Sequence, residues 1–399
     1  MGRALKEDRI WNKGFTTVTI SHSVFAVGVY MLIPTIPLFL KEIGAVESQV
    51  GVVVTAFYIS AIFTRFGINA VLARIGKKRV VIAGLLLSGI IMSLYGFAES
   101  VAAVAVLRVI QGVGLGMASS TSATLVADFL PDSRRGQGVG YFTMGLVVSM
   151  TVAPVIALNL RETYGFMPMF LFASVTCLLS AVVMLFIKEP EIVKLEASGK
   201  TYDKGKTLQW RNLFDRRLII PAVTVLLFGL SRSVDMNYIS LFAEERKLEY
   251  LSLYFVVQTV TMFLIRLIVG QFADKKGRNW VLIPGGVAML AVMVTLSFAN
   301  TSAVMLLGAF FSGLGLGILA PNLQVWALSV IEPERRNVAS STFFNCMDIG
   351  SAIGASVMGL MAENFGYTAM FRTGACAALM YLIVYIAVGR EKRQATAVK

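Results

Sequence analysis

Apolar runs long enough to cross a bilayer recur from one end of the chain to the other, and they leave few folds open to it. Twelve read as helices, at roughly 14–40, 48–73, 78–97, 101–127, 136–160, 165–187, 218–243, 250–273, 279–298, 302–331, 337–361 and 367–388. About 20 helical residues, at 1.5 Å each, cross about 30 Å of hydrocarbon. The chain is 56% hydrophobic and 15% charged, which is too apolar for a soluble globular protein. The expected fold class is an all-α membrane protein.

The runs come in two matching sets. The stretch Gly270-Gln-Phe-Ala-Asp-Lys-Lys-Gly-Arg-Asn279 has a partner 201 positions earlier, Asn69-Ala-Val-Leu-Ala-Arg-Ile-Gly-Lys-Lys78. Gly76 falls on Gly277, Lys77 on Arg278 and Arg65 on Arg266. The same offset carries Gly112-Val-Gly-Leu-Gly116 onto Gly313-Leu-Gly-Leu-Gly317, Arg134-Arg135 onto Arg335-Arg336, and Tyr164-Gly165 onto Phe365-Gly366. The expected organisation is two pseudo-symmetric six-helix bundles, 1–187 and 218–399, joined by a cytoplasmic linker at 188–217. The end of the linker, Leu208 to Arg217, is expected to form an amphipathic helix on the membrane surface. Parallel six-helix repeats are an arrangement of secondary transporters, with the substrate site near the midplane between the repeats.

Charge gives an orientation. Net charge is +13, which in a soluble protein would suggest nucleic acid. Here it is expected to record the positive-inside bias of cytoplasmic loops, and no nucleic-acid partner is expected. Placing both termini in the cytoplasm puts 27 of the 36 Lys and Arg in inner segments and four in outer loops. A multi-pass protein of the cell membrane follows. The three cysteines, Cys177, Cys346 and Cys376, lie in apolar runs without metal-ligand spacing, so neither a disulfide framework nor a metal site is expected. No removable signal peptide is read at the N-terminus.

These residues resemble the major facilitator superfamily over essentially the whole chain. Its loop signature matches Gly270, Asp274, Lys275, Gly277 and Arg278 in the second copy. The first copy keeps Arg74, Gly76, Lys77 and Lys78, with Asn69 and Ala73 where glycine and aspartate would stand. A helix-four signature matches Arg108, Gln111 and Gly112. Of the helix-five signature of the proton antiporters, Gly140, Gly145 and Pro154 are present, and Ala153 occupies the place of a glycine. The chain looks like the twelve-helix antiporter branch of drug, sugar and metallophore exporters. The resemblance implies helices 1, 4, 7 and 10 around a central cavity. It also implies a conformational latch at the inner loops: Asp274 and Arg278 with Gly270 and Gly277 in the second half, Lys77 with Asp128 in the first.

Ionisable groups inside hydrocarbon need a reason to be there. Asp235 and Asp348 are the carboxylates placed deep in helices. Arg232 and Asp235, three apart, share a helix face and are expected to pair. Asp235 and Arg108 sit at similar depths and are expected to meet across the cavity. A carboxylate that gives up its arginine to substrate would couple proton to solute; a fixed packing pair is the competing reading. Asn345 lies three before Asp348. His22 is the single histidine, suited by type to proton transfer but also to packing. Asn237, Gln258, Asn322 and Gln324 are candidate hydrogen-bonders, and Tyr30, Tyr238 and Trp326 candidate aromatic walls. Arg65 and Arg266, present in both halves, are expected to snorkel to the inner surface.

The expected function is proton-coupled export of a small organic molecule by alternating access, as a monomer, with no cofactor beyond the proton gradient. Uptake or facilitated diffusion of a sugar or organic anion is the leading alternative. A membrane enzyme would need a convergent nucleophile, metal cluster or acid–base pair, which the sequence does not offer. Glycine-rich Gly112–Gly116 lies in an apolar helix without a Walker lysine, so it reads as close helix packing.

Overall fold

The computed structural model describes residues 10–131, 134–187, 215–332 and 336–397, with certain helical side chains, among them those of Asn69, Ala73, Arg74, Asp274 and Lys275, outside the description. Eleven long helices are seen among these residues. They are α1 Lys13–Glu42, α2 Glu47–Ile75, α3 Lys77–Leu94, α4 Val101–Asp128, α5 Arg135–Tyr164, α6 Phe166–Leu185, α7 Ile219–Glu245, α8 Leu251–Lys276, α9 Asn279–Ser297, α10 Ser302–Ser329 and α11 Arg336–Ala397. Residues 188–214, which hold most of the expected linker and surface helix, lie outside the described residues.

The twelfth crossing is inside α11. At 62 residues this helix would be about 93 Å long if straight, roughly three bilayers. It is not straight. Gly366 stands at φ 79°, ψ 167° and turns the chain back. Tyr367, just past the turn, meets Glu47 at the start of α2, whereas Tyr385 meets Asn279 at the start of α9. The two arms of α11, 336–365 and 367–397, therefore cross in opposite directions.

The repeat is carried by backbone chemistry. Ser100 and Thr301 cap α4 and α10, each hydroxyl accepting from the N–H three residues on, Ala103 and Val304. Gly76 and Gly277 take φ of 83° and 85° between α2–α3 and α8–α9, and Gly165 and Gly366 take 84° and 79°. Only glycine adopts that left-handed region freely. Packing repeats as well. In the first bundle α1 lies on α5 and α6, α2 on α4, and α3 on α4 and α6; in the second α7 lies on α11, α8 on α10, and α9 on α10 and α11. A Cβ at Gly112 would meet Phe57 O and Ser60 of α2, and one at Gly313 would meet Gln258 O and Thr261 of α8, the same positions moved by 201. Small residues let the helix backbones approach this closely.

The two bundles meet where α2 packs on the first arm of α11, α5 on α8, and α1 on α7. One end of the molecule carries the basic turns at Gly76 and Gly277; we call it the basic face. Hydrogen bonds between the bundles begin at the far face. Ser48 N donates to Glu363 (3.1 Å), Tyr367 Oη to Glu47 (3.3 Å), and Arg161 to Glu244 (2.8 Å). Further in, Thr55 donates to Ala352 O and meets Ser356, both at 2.7 Å. The innermost of these bonds among the described residues is an ion pair between Arg65 of α2 and Asp348 of α11.

Candidate functional site

The Arg65–Asp348 pair lies near mid-membrane. Arg65 is ten residues, about 15 Å, before the end of α2, and Asp348 is twelve, about 18 Å, after the start of α11. The pair joins the two bundles, and its side chains keep 21% and 13% of their exposure. Arg65 therefore does not snorkel to the surface as expected, because a carboxylate reaches it from the other bundle first. Tyr30 of α1 and Tyr58 of α2 are both within electrostatic reach of Asp348 and Arg232. Arg266 of α8 also acts on Tyr30. Both halves thus contribute charge around Tyr30 and Tyr58: Arg232, Asp348 and Arg266 from the second bundle and Arg108 from the first, with Arg65 joined through its pair with Asp348. Among the described residues neither Arg232 nor Arg266 has a hydrogen bond or ion pair, and Arg266 Nε is buried without a partner.

Asp235 is built differently. It is 1% exposed and accepts hydrogen bonds from Tyr254 Oη and Ser312 Oγ, and from Gln258 Nε2 at 3.0 Å. The donors come from α8 and α10, so the whole cluster belongs to the second bundle. This corrects the expected Arg232–Asp235 ion pair. The two share a helix and feel each other's charge, but three neutral donors, not the guanidinium, occupy the carboxylate. Tyr254 and Ser312 were not singled out from sequence. Ser312 was legible, since it is the 201-residue counterpart of Gln111; Tyr254 gave no signal among the apolar residues of α8.

Arg108 and Gln111 form the corresponding cluster in the first bundle. Arg108 is 4% exposed and donates to Gln111 Oε1 (3.1 Å) and Leu32 O (3.4 Å), with its guanidinium 4.8 Å from the Phe57 ring. Tyr95 Oη donates to the same Gln111 oxygen at 2.6 Å. Arg108 thus finds its partners within its own bundle, where Leu32 O, Gln111 and the Phe57 face take up the guanidinium, and it does not meet Asp235. Arg108 Nε and Gln111 Nε2 are left without partners.

The remaining candidates are scattered. His22 is buried and stacks on Phe142 at 4.9 Å, with Nδ1 unpartnered. Asn237 bonds back to Ser233, and Asn322 to Ile318 O, each one turn earlier on its own helix. Asn345 is half-buried on α11, one turn before Asp348. Tyr238 is buried and donates to Ala355 O at 2.5 Å, a packing bond rather than a cavity wall. A shallow cleft of about 340 Å³ lies apart from all of these, between Ile10, Trp11, Arg134, Gln137 and Tyr141.

At the basic face Lys77 Nζ donates to Asp128 Oδ2 at 2.5 Å, tying the start of α3 to the end of α4. Arg278 lies 4.5 Å over the Trp326 ring of α10. The side chain of Asp274, the other member of the expected latch, lies outside the described residues, and among the described residues nothing lies within 4 Å of a Cβ at Gly270.

Two six-helix bundles around a charged midplane cluster define a secondary transporter of small molecules, not an enzyme. A sequence profile of the Major Facilitator Superfamily matches residues 18–280 and 248–399, and the chain belongs to that family. It is 24% identical over 393 residues to the multidrug resistance protein MdtG of Escherichia fergusonii, covering 94% of this chain and 93% of the relative. It is 23% identical to the bacillibactin exporter of Bacillus subtilis, covering 93% and 95%. Its fold is similar to that of the nucleoside transporter NupG, with TM-score 0.75 at 13% identity, covering 94% and 99%.

Proposed function

We propose that this transporter exports a small organic solute in exchange for protons, by alternating access, with both termini in the cytoplasm. The observation that carries the reading is the Arg65–Asp348 pair. Among the described residues it is the innermost bond of the seam between the bundles, and it is held by one carboxylate. With Asp348 charged, the pair ties α2 to α11. A proton on Asp348 removes the attraction and frees the seam to part, so protonation and conformation become one event. The exporters among the relatives support the direction, and the excess of Lys and Arg in segments at the basic face supports placing that face in the cytoplasm. The bonds between the bundles among the described residues lie toward the far face, which supports an inward-open state.

The test uses orientation-sorted proteoliposomes and fluorescent organic solutes of each charge class. A proton gradient directed from the far face to the basic face should drive solute the opposite way, and its collapse should stop the movement. Solute accumulation with the proton flow would favour uptake. Solute movement indifferent to the gradient would leave a facilitated carrier.

A further inference from the structure

Arg65 and Arg266 are counterparts at the 201-residue offset, and so are Asp348 and Val147. The second equivalence is firm because the helices concerned are bracketed by matched features: Arg134-Arg135 and Gly165 around α5, Arg335-Arg336 and Gly366 around α11. The seams are matched too, since α2 packs on α11 and α5 packs on α8. In one seam the arginine meets an aspartate. In the other, the helix packed on α8 carries Val147 at the aspartate's place, and that valine is 6% exposed. Arg266 is therefore the arginine of a pair whose acid is missing. Its Nε is buried without a partner. Arg232, on α7, lies in the same electrostatic neighbourhood around Tyr30 and also lacks a bonded partner among the described residues. The two nearby carboxylates are already engaged, Asp348 by Arg65 and Asp235 by Tyr254, Gln258 and Ser312.

A guanidinium held at mid-membrane without an anion is costly. Its fork of donors matches a carboxylate, sulfonate or phosphate. We propose that Arg266 and Arg232 receive the anionic group of the transported solute, with the Tyr30 and Tyr58 rings against its apolar body. The solute supplies to the second seam the negative charge that Asp348 supplies to the first. The proposal rests on the transporter reading above and narrows its substrate to an organic anion.

The experiment uses the purified full-length protein with three probes of one shape: 2-naphthoate, the neutral 2-naphthamide and the cationic 2-naphthylmethylammonium. Equilibrium dialysis should give saturable naphthoate binding at least ~10-fold tighter than either of the others, a difference of about 1.4 kcal/mol. Arg266→Met and Arg232→Met should each weaken it at least ~10-fold, and Arg266→Lys by less. Val147→Asp should weaken it as much as Arg266→Met while leaving every arginine in place, because the new carboxylate occupies Arg266 from within. That variant decides the matter if Arg266→Met does not fold. Equal binding of the three probes, no saturable naphthoate binding, or full binding in both Arg266→Met and Val147→Asp overturns the proposal. Anion-selective binding without flux in proteoliposomes upholds the site and removes the export reading. Proton-driven flux of the neutral amide, with no preference for the acid, removes the site and keeps that reading.

Discussion

Asp235 accepts from three donors that all belong to its own bundle, whereas Asp348 reaches across to the other one. The first arrangement fixes α7, α8 and α10 together; the second is placed to break when the bundles move. Replacing Asp235 by alanine takes the acceptor from the buried Tyr254 and Ser312 hydroxyls, at about 1–3 kcal/mol each, while Gln258 Nε2 keeps its bond to Ser312 Oγ at 2.7 Å. We predict a large fall in the melting temperature of Asp235→Ala, measured in detergent. Asp348→Asn should lower the melting temperature by less, because its side chain and that of Arg65 both retain some solvent access. Equal losses in the two variants would contradict this division. The depth of both aspartates along their helices was legible in the sequence. The direction each faces around its helix was not, and that direction decided the partners. Arg232 shares a helix with Asp235, so the short spacing suggested a pair, but the carboxylate points to donors on other helices.

Among the helices, close approach sets the tolerances. A Cβ at Gly112 would come 2.4 Å from Phe57 O, and one at Gly313 2.3 Å from Gln258 O. Backbone oxygens cannot swing aside as a flexible side chain can. Gly112→Ala and Gly313→Ala should therefore each destabilise by about 1–3 kcal/mol, and by similar amounts, because the repeat puts them in the same contact; thermal or denaturant unfolding checks this. At the other end of α10, exposed Glu332 takes two bonds from Arg217, at 2.6 and 2.8 Å. Those bonds push its pKa down from 4.5 to about 2. Since the folded value is the lower one, the bridge contributes above about pH 4.5 and is lost as pH falls through about 2. Hydrogen exchange at the start of α7 should be faster in Glu332→Gln than in wild type at pH 5–7, and the difference should vanish near pH 2. Element lengths were legible from hydropathy alone. The boundary between the last two crossings was legible too, from Gly366, although the helix hydrogen bonding runs nearly unbroken past it.

For the molecule as a whole, the seam of α2 and α11 holds the bundles together toward the far face, and we predict that it gates that face. Gly51 lets α2 lie against Ala355 O and Tyr238 of the other bundle, where a Cβ would come within 2.4 and 2.9 Å. Gly51→Val should wedge the far face open, raising labelling of a cysteine placed at Ser48 and lowering labelling of one placed at the basic face. Unchanged labelling would mean that the seam does not gate. The two-bundle architecture was readable because duplication leaves a constant offset in the sequence. The contacts between bundles were not, because they depend on which pairs of non-equivalent helices meet, and Arg65 finding Asp348 is such a case.

The most direct measurement is proton movement accompanying solute flux in proteoliposomes, reported by an entrapped pH dye, for wild type, Asp348→Asn and Asp235→Asn. We predict solute-dependent proton movement in wild type, its loss in Asp348→Asn with residual solute exchange, and its persistence in whatever Asp235→Asn protein folds. Proton movement that survives Asp348→Asn intact, or solute flux in wild type with none, would contradict it.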